Sequence, residues 1–195
     1  QALSTSLRVN LKCLKDLLDQ SDDIVFREFL IGSEPEQRAA IIYVEGLVDK
    51  QLLNNDVLES LMFGTREVDG LSGTPSQILE RIERAFITIG HIRRANTLEV
   101  VIDSFLTGET ALLVDGCDEA LIISTRGWST RAVEKPETEV VVRGPREGFT
   151  ETLRTNTVLL RRRLRTPNLV IETMKIGRHT RTDVSIAYIR GIVNP

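Results

Sequence analysis

Short apolar runs of strand length, closed by turn residues and interleaved with amphipathic helical stretches, constrain this chain more than any other feature. Ile24 to Ile31 and Ala39 to Val44 flank a short polar link holding Gly32 and Pro35, which predicts an antiparallel hairpin. Ala111 to Val114 and Ala120 to Ile123 flank Asp115-Gly116, a pair that readily takes positive backbone angles. They predict a second hairpin across Thr110 to Ser124. Thr138 to Arg143, Leu169 to Ile176 and Thr182 to Arg190 are further strand candidates.

Helical spacing fills the intervals. Leu7, Leu11, Leu14, Leu17 and Leu18 form one stripe, with Ser4, Thr5 or Ser6 to cap it, and Ser21-Asp22-Asp23 breaks that helix. Leu47 to Met62 contains Leu52, Leu53, Val57, Leu58, Leu61 and Met62, enough for one face of a helix. In Thr74-Pro75-Ser76-Gln77, Thr74 can cap, Pro75 suits the first helical position and Gln77 completes a capping box. Leu79, Ile82, Phe86 and Ile89 follow as its buried stripe. A short helix is expected from Asn96 or Thr97 to Leu106. Another runs from Thr150 to Arg165, stopped by Pro167. The expected class is α/β (α+β): two small α/β lobes with mixed sheets covered by helices. The boundaries are 1–130 for the first and 131–195 for a β-α-β-β second lobe. One helix over three strands is a thin core, so the native chain is expected to continue past Pro195.

Charge divides along the same line. Residues 1–125 carry 21 acidic and 11 basic side chains, and residues 126–195 carry 7 and 14, although the net charge is only −3. An apolar content of 41% excludes a disordered chain. No run approaches the ~18 to 20 apolar residues of a membrane helix. Polar residues follow Gln1 closely, so no signal peptide is expected. Cys13 and Cys117 are isolated and make neither a disulfide framework nor a zinc spacing, as in a reduced, intracellular-type domain. No repeat of solenoid period and no low-complexity tract is present.

Motifs for catalysis are missing. The chain has no phosphate loop, no dinucleotide-binding glycine fingerprint and no Gly-x-Ser-x-Gly elbow. His91 and His179 have no nucleophile or ligand at a diagnostic spacing. Asp115, Asp118 and Glu119 crowd one hairpin tip but lack the ligand spacing of a calcium loop. No catalytic residue, metal or cofactor is expected.

The basic features of the second half are sharper. Arg143-Gly144-Pro145-Arg146-Glu147-Gly148-Phe149 joins a strand to a helix start, and Arg161-Arg162-Arg163 lies near that helix's end, where cations complement the dipole. Helical projection puts Arg154, Arg161 and Arg165 on one side and Phe149, Leu153, Leu160 and Leu164 on the side facing the sheet. It puts Asn156 within the apolar stripe and Arg163 at its edge, so Arg163 is expected to be the least exposed of the three consecutive arginines. Asn156 either helps form a polar pocket or ties the helix to a neighbouring loop. The basic half invites a nucleic-acid reading. Aromatics at 5% and a pI near 5.6 oppose it, and it is kept as a remote alternative.

Arg131-Ala132-Val133-Glu134-Lys135-Pro136, the block from Glu139 to Phe149, Asn156 and Leu159 to Arg163 together resemble the A subunit of GerA-family spore germinant receptors. Lys175-Ile176-Gly177, Arg181-Thr182 and Tyr188 extend the resemblance, as do Arg38 to Asp49 and Leu112 to Gly116 upstream. The resemblance implies the soluble N-terminal domain of a non-catalytic subunit of the spore inner membrane, with transmembrane helices in an absent downstream segment. It implies a permease-like B subunit and a lipoprotein C subunit as partners, and nutrients as the signal for germination. Homo-oligomers are compatible with it. Two roles fit: signal coupling and assembly, or direct binding of a small-molecule germinant. Arg143, Arg146, Glu147, Asn156, Arg161, Arg162 and Arg163 are the candidate ligand or partner residues. The basic half is expected to face an anionic membrane surface or an acidic partner.

Overall fold

The computed structural model describes residues 1–18, 21–33, 36–65, 73–87, 89–127 and 148–193. Its larger sheet has five strands in the order β1-β2-β4-β5-β3. These are β1 (Ile24–Ile31), β2 (Gln37–Val44), β3 (Ile92–Ala95), β4 (Thr110–Val114) and β5 (Ala120–Ile123). A separate two-stranded sheet pairs β6 (Leu169–Ile176) with β7 (Thr182–Ile189). The expected α+β class holds, with every pairing among the described strands antiparallel rather than mixed.

Helices cover both faces of the larger sheet. On one face lie α1 (Leu7–Leu18) and α4 (Leu98–Leu106), packed on Ala40, Ile42, Ala111, Leu113 and Ile122. On the other lie α2, which opens at Lys50–Leu52 and continues with π-type winding over Leu53–Gly64, and α3, Pro75–Arg81 continuing as Ile82–Phe86. They pack on Ile31, Ala39, Ile41, Leu112, Leu121 and Ile123. Successive residues of one strand thus enter different cores, which is why Ala39–Val44 of β2, Ala111–Val114 of β4 and the whole of β5 form apolar runs rather than alternating.

The helix starts follow local chemistry. Asp49 accepts from the amides of Gln51 (2.9 Å) and Leu52 (3.1 Å) and caps α2. Gln77 accepts from the Thr74 amide at 2.8 Å, closing the expected capping box of α3. Thr97 caps α4 through the Val100 amide at 3.4 Å. For α1, Asp115 reaches back from the β4–β5 turn to accept the Leu7 amide at 2.8 Å. The acidic hairpin tip is therefore partly a long-range helix cap, favoured by the positive N-terminal end of the dipole.

Strand β3 has no counterpart in the sequence reading. Its Ile-Arg-Arg-Ala pattern hides it, because both arginines are charged edge-strand residues. Arg93 pairs with Glu109 at 2.8 Å, and Arg94 bridges Glu83 (3.2 Å) and Glu119 (3.1 Å). The expected strand Thr138 to Arg143 and most of the expected lobe boundary lie outside the described residues.

Candidate functional site

The Ser21-Asp22-Asp23 turn, which the sequence marks only as a helix breaker, is where the two sheets meet. It links α1 to β1 and offers three short acceptor side chains in a row. Arg161, on the last helix α5 (Leu153–Arg163), runs into it and is fully buried at 0% exposure. Its Nε donates to Asp23 Oδ2 at 2.8 Å, and one terminal nitrogen donates to Asp23 Oδ1 and Ser21 Oγ, each at 2.8 Å. The other terminal nitrogen donates to the carbonyls of Leu169 (3.1 Å) and Thr166 (3.3 Å). The planar guanidinium thus joins turn, helix and second sheet through one bidentate carboxylate pair.

Backbone bonds seal the same seam. The Asp22 amide donates to the Ile171 carbonyl at 2.8 Å, and the Ile171 amide donates to Ser21 Oγ at 3.0 Å. The Thr173 amide donates to Asp22 Oδ2 at 2.6 Å. Arg190 donates to the Leu17 carbonyl at 2.8 Å, satisfying an acceptor in the last turn of α1. Arg154 contacts Glu45, which also accepts from Lys50 at 2.6 Å. These cations, the Lys50 hydrogen bond first, hold the Glu45 carboxyl below its ordinary pKa despite partial burial. Val158 packs on the core beneath α1 and fills the space above Gly46.

Beside this seam opens a cleft of about 520 Å³. Asp22, Asp23, Glu45, Arg154, Thr173 and Asp183 supply charged and hydroxyl groups to its walls. A second depression, about 600 Å³, lies between α1 and the sheet, with Arg8, Lys12, Lys15 and Arg38 opposite Asp16, Glu28 and Asp115.

The sequence candidates distribute unevenly over this arrangement. Arg143, Arg146 and Glu147 lie outside the described residues. Asn156 makes a local clamp: its Oδ1 accepts from the Thr150 amide at 2.7 Å, and its Nδ2 donates to the Thr150 carbonyl at 2.8 Å. It ties the helix to the segment just before it. Arg161 is the buried member of the arginine run, Arg162 is half-buried and Arg163 is exposed. This reverses the expected order. The projection treated α5 as a helix with one apolar neighbour, but α5 has two. Of the side expected to carry Arg154, Arg161 and Arg165, opposite the sheet-facing one, Arg154 and Arg161 turn toward the first sheet, while Phe149 (71%) and Leu164 (42%), expected to face the sheet, are exposed. Sequence reasoning missed Ser21, Asp23 and Glu45. The available signal was an acceptor-rich Ser-Asp-Asp turn in an acidic half and an arginine run in a basic one. The charge division is therefore partly internal, since Arg161 and Arg154 are matched by Asp23 and Glu45.

Both cysteines are free, and burial first, then Asp118 and Asp115, pushes the Cys117 thiol up to about 11. Among the described residues, no group of three or more His, Cys, Asp or Glu side chains is placed to hold a metal ion. Nor is any helix there long and apolar enough to cross a membrane.

Residues 12–195 match the profile of the Bacillus/Clostridium GerA spore germination protein family. The chain is 37% identical over 192 residues to spore germination protein KA of Bacillus subtilis, covering 97% of this chain and 34% of that protein. It is 35% identical to spore germination protein B1 of the same organism, over 97% of this chain and 38% of the relative. It therefore spans about a third of the length of these curated relatives. The N-terminal domain of the A subunit of the Bacillus megaterium spore germinant receptor GerK3 has a similar structure. Its TM-score is 0.76 at 35% identity, over 100% of this chain and 68% of that one.

Proposed function

The chain belongs to the GerA spore germination family, and from that premise we propose that it is the coupling and assembly module of a germinant receptor A subunit. In this reading it acts without chemical turnover, at the inner membrane of the spore, beside permease-like and lipoprotein subunits. The observation that carries the reading is the Arg161–Asp23–Ser21 junction. A largely buried bidentate ion pair where two sheets meet rarely yields the best net stability, because desolvating both charges offsets most of their attraction. Its benefit is geometric: it fixes α5 and β6 at one position on the first sheet, so a displacement of either is transmitted to the other.

The test places Arg161→Lys and Asp23→Asn in the full receptor in spores. Expected is normal receptor abundance with slowed or abolished nutrient-triggered germination, while germination by agents that bypass receptors is unchanged. Normal nutrient germination in both variants, with the junction demonstrably loosened, refutes the coupling role.

The cleft beside the junction favours a second reading, direct binding of a small nutrient. Its walls present Arg154 together with Asp22, Glu45 and Asp183, groups of both signs that suit a zwitterionic solute. Calorimetric titration of the domain with a nutrient panel separates the two. Saturable binding lost in Arg154→Ala supports the second, and silence from a folded domain returns the reading to coupling.

A further inference from the structure

A groove between α1 and the larger sheet, distinct from the cleft beside the junction, gathers positive charge in the acidic half of the chain. Residues 1–125 hold 11 basic and 21 acidic side chains. Four of the 11 line the groove, Arg8, Lys12 and Lys15 from α1 and Arg38 from β2. Only three of the 21 do so, Asp16, Glu28 and Asp115.

Two of these three carboxylates are already engaged. Asp115 accepts from the Leu7 amide at 2.8 Å. Glu28 lies 3.6 Å from the Lys15 ammonium, which also sits 5.7 Å from the centre of the Phe26 ring. Asp16 stands eight residues, about 12 Å, along α1 from Arg8. Among the described residues, the side chains of Arg8, Lys12 and Arg38 have no partner. Elsewhere in this half, Lys50, Arg84, Arg93 and Arg94 each meet a carboxylate within 3.2 Å.

Helix stability opposes this arrangement. Arg8 stands in the first turn of α1, where the positive end of the dipole repels a cation, and no acidic residue shares that turn. Arg8 and Lys12 are one turn apart on one face, a like-charge spacing that destabilises a helix. An anion held among these cations offsets both repulsions.

The backbone around the groove is tied down. Asn10 clamps Ser4 through bonds of 2.8 and 2.7 Å just ahead of α1. The Gly116 amide donates to the Thr5 carbonyl at 2.7 Å, and the Asp115 amide to the Arg38 carbonyl at 2.8 Å. The β4–β5 turn thus holds the starts of α1 and β2 together. Leu7 and Leu11, both buried, give the groove an apolar floor. Its volume, about 600 Å³, is that of a small-molecule site.

We infer that this groove binds a small organic anion with two or more phosphate or carboxylate groups, one met by Arg8 and Lys12 and another by Arg38. The unpaired cations stand on two elements, a helix and a strand, so a single negative group leaves one side unmatched. Guanidinium forks suit both kinds of oxyanion. The inference is independent of the coupling reading, which rests on the junction at the other end of α1.

Calorimetric titration of the chain with pyrophosphate and with citrate, at low ionic strength, tests it. Expected is a single saturable site, with acetate at least about tenfold weaker. Arg38→Ala and Lys12→Ala should each weaken binding at least about fivefold. Arg27→Ala removes an exposed cation on the opposite face of β1 and should leave affinity within about twofold. Arg8→Ala should weaken binding yet raise the melting temperature of the anion-free chain by about 1–3 °C, because it removes both repulsions. Absence of saturable binding to the folded chain overturns the inference. Equal weakening by Arg27→Ala reduces the effect to net charge and also overturns it. So does a lower melting temperature in Arg8→Ala with affinity unchanged. Vesicles of phosphatidylglycerol supply the last arm. Binding to them through Lys12 and Arg38, with neither free anion bound, assigns the groove to a lipid headgroup and overturns the inference.

Discussion

Replacing Arg161 removes five hydrogen bonds from a site with no exposure on the arginine side and 11% on the Asp23 side. Truncating one member of a buried ion pair costs about 3–5 kcal/mol, since the remaining charge keeps its desolvation penalty without its partner. Asp23 retains slight contact with water, which places Arg161→Met near the lower end, about 3 kcal/mol. At roughly 2–4 °C per kcal/mol for a chain of this size, the melting temperature falls by about 6–12 °C. Urea denaturation followed by far-ultraviolet circular dichroism measures the loss. Exchange at the Ile171 amide, which donates to Ser21 at 3.0 Å, reports whether the seam opens locally. A double-mutant cycle with Asp23→Asn should give a coupling energy of about 2 kcal/mol or more. A loss below about 0.5 kcal/mol, or a coupling energy near zero, refutes the assignment of Arg161 as the keystone of the junction.

Four further outcomes follow from the same geometry. Gly46→Ala meets two penalties, a φ of 90° and a Cβ placed 2.4 Å from Val158 Cγ2, and should cost about 2–4 kcal/mol by thermal melting. Adding Val158→Ala should recover only the steric part; no recovery would show that the contact is not the cause. Asn156→Ala should cost about 1–2 kcal/mol, and Asn10→Ala a similar amount, as for lost helix caps; equilibrium denaturation of each would reveal a neutral change if the clamps were idle. The Glu45 pKa is lower in the folded chain than its ordinary 4.5, so its contribution is present above that value and lost as pH falls through the lowered one. Glu45→Gln should therefore destabilise at pH 7 and converge with the parent in acid titrations only once the pH has fallen through the lowered Glu45 pKa. Cys117, with its thiol pushed up to about 11, should alkylate at pH 8 about 100-fold more slowly than an unhindered thiol, and equal rates by mass spectrometry would contradict its burial.

Much of the fold was legible because its signals are local. β1 and β6 begin and end where the apolar runs do, and the capping box at Thr74 and the Asp115-Gly116 turn occupy their expected places. Strand β3 was not legible, because an edge strand carrying Arg93 and Arg94 lacks the apolar alternation by which strands are recognised. The family, too, was readable from linear blocks of residues.

The sequence by itself determined the elements other than β3, the fold class and the kinship, since periodicity, caps and turns act over a few residues. Only the tertiary structure decided which arginine is buried. Helical projection ranks residues about one axis and assumes a single apolar neighbour, whereas α5 lies between two sheets. Its buried charge is set by a carboxylate 138 residues away, at Asp23. A long-range ion pair leaves no periodic trace, because its partners are matched by three-dimensional position and not by spacing along the chain.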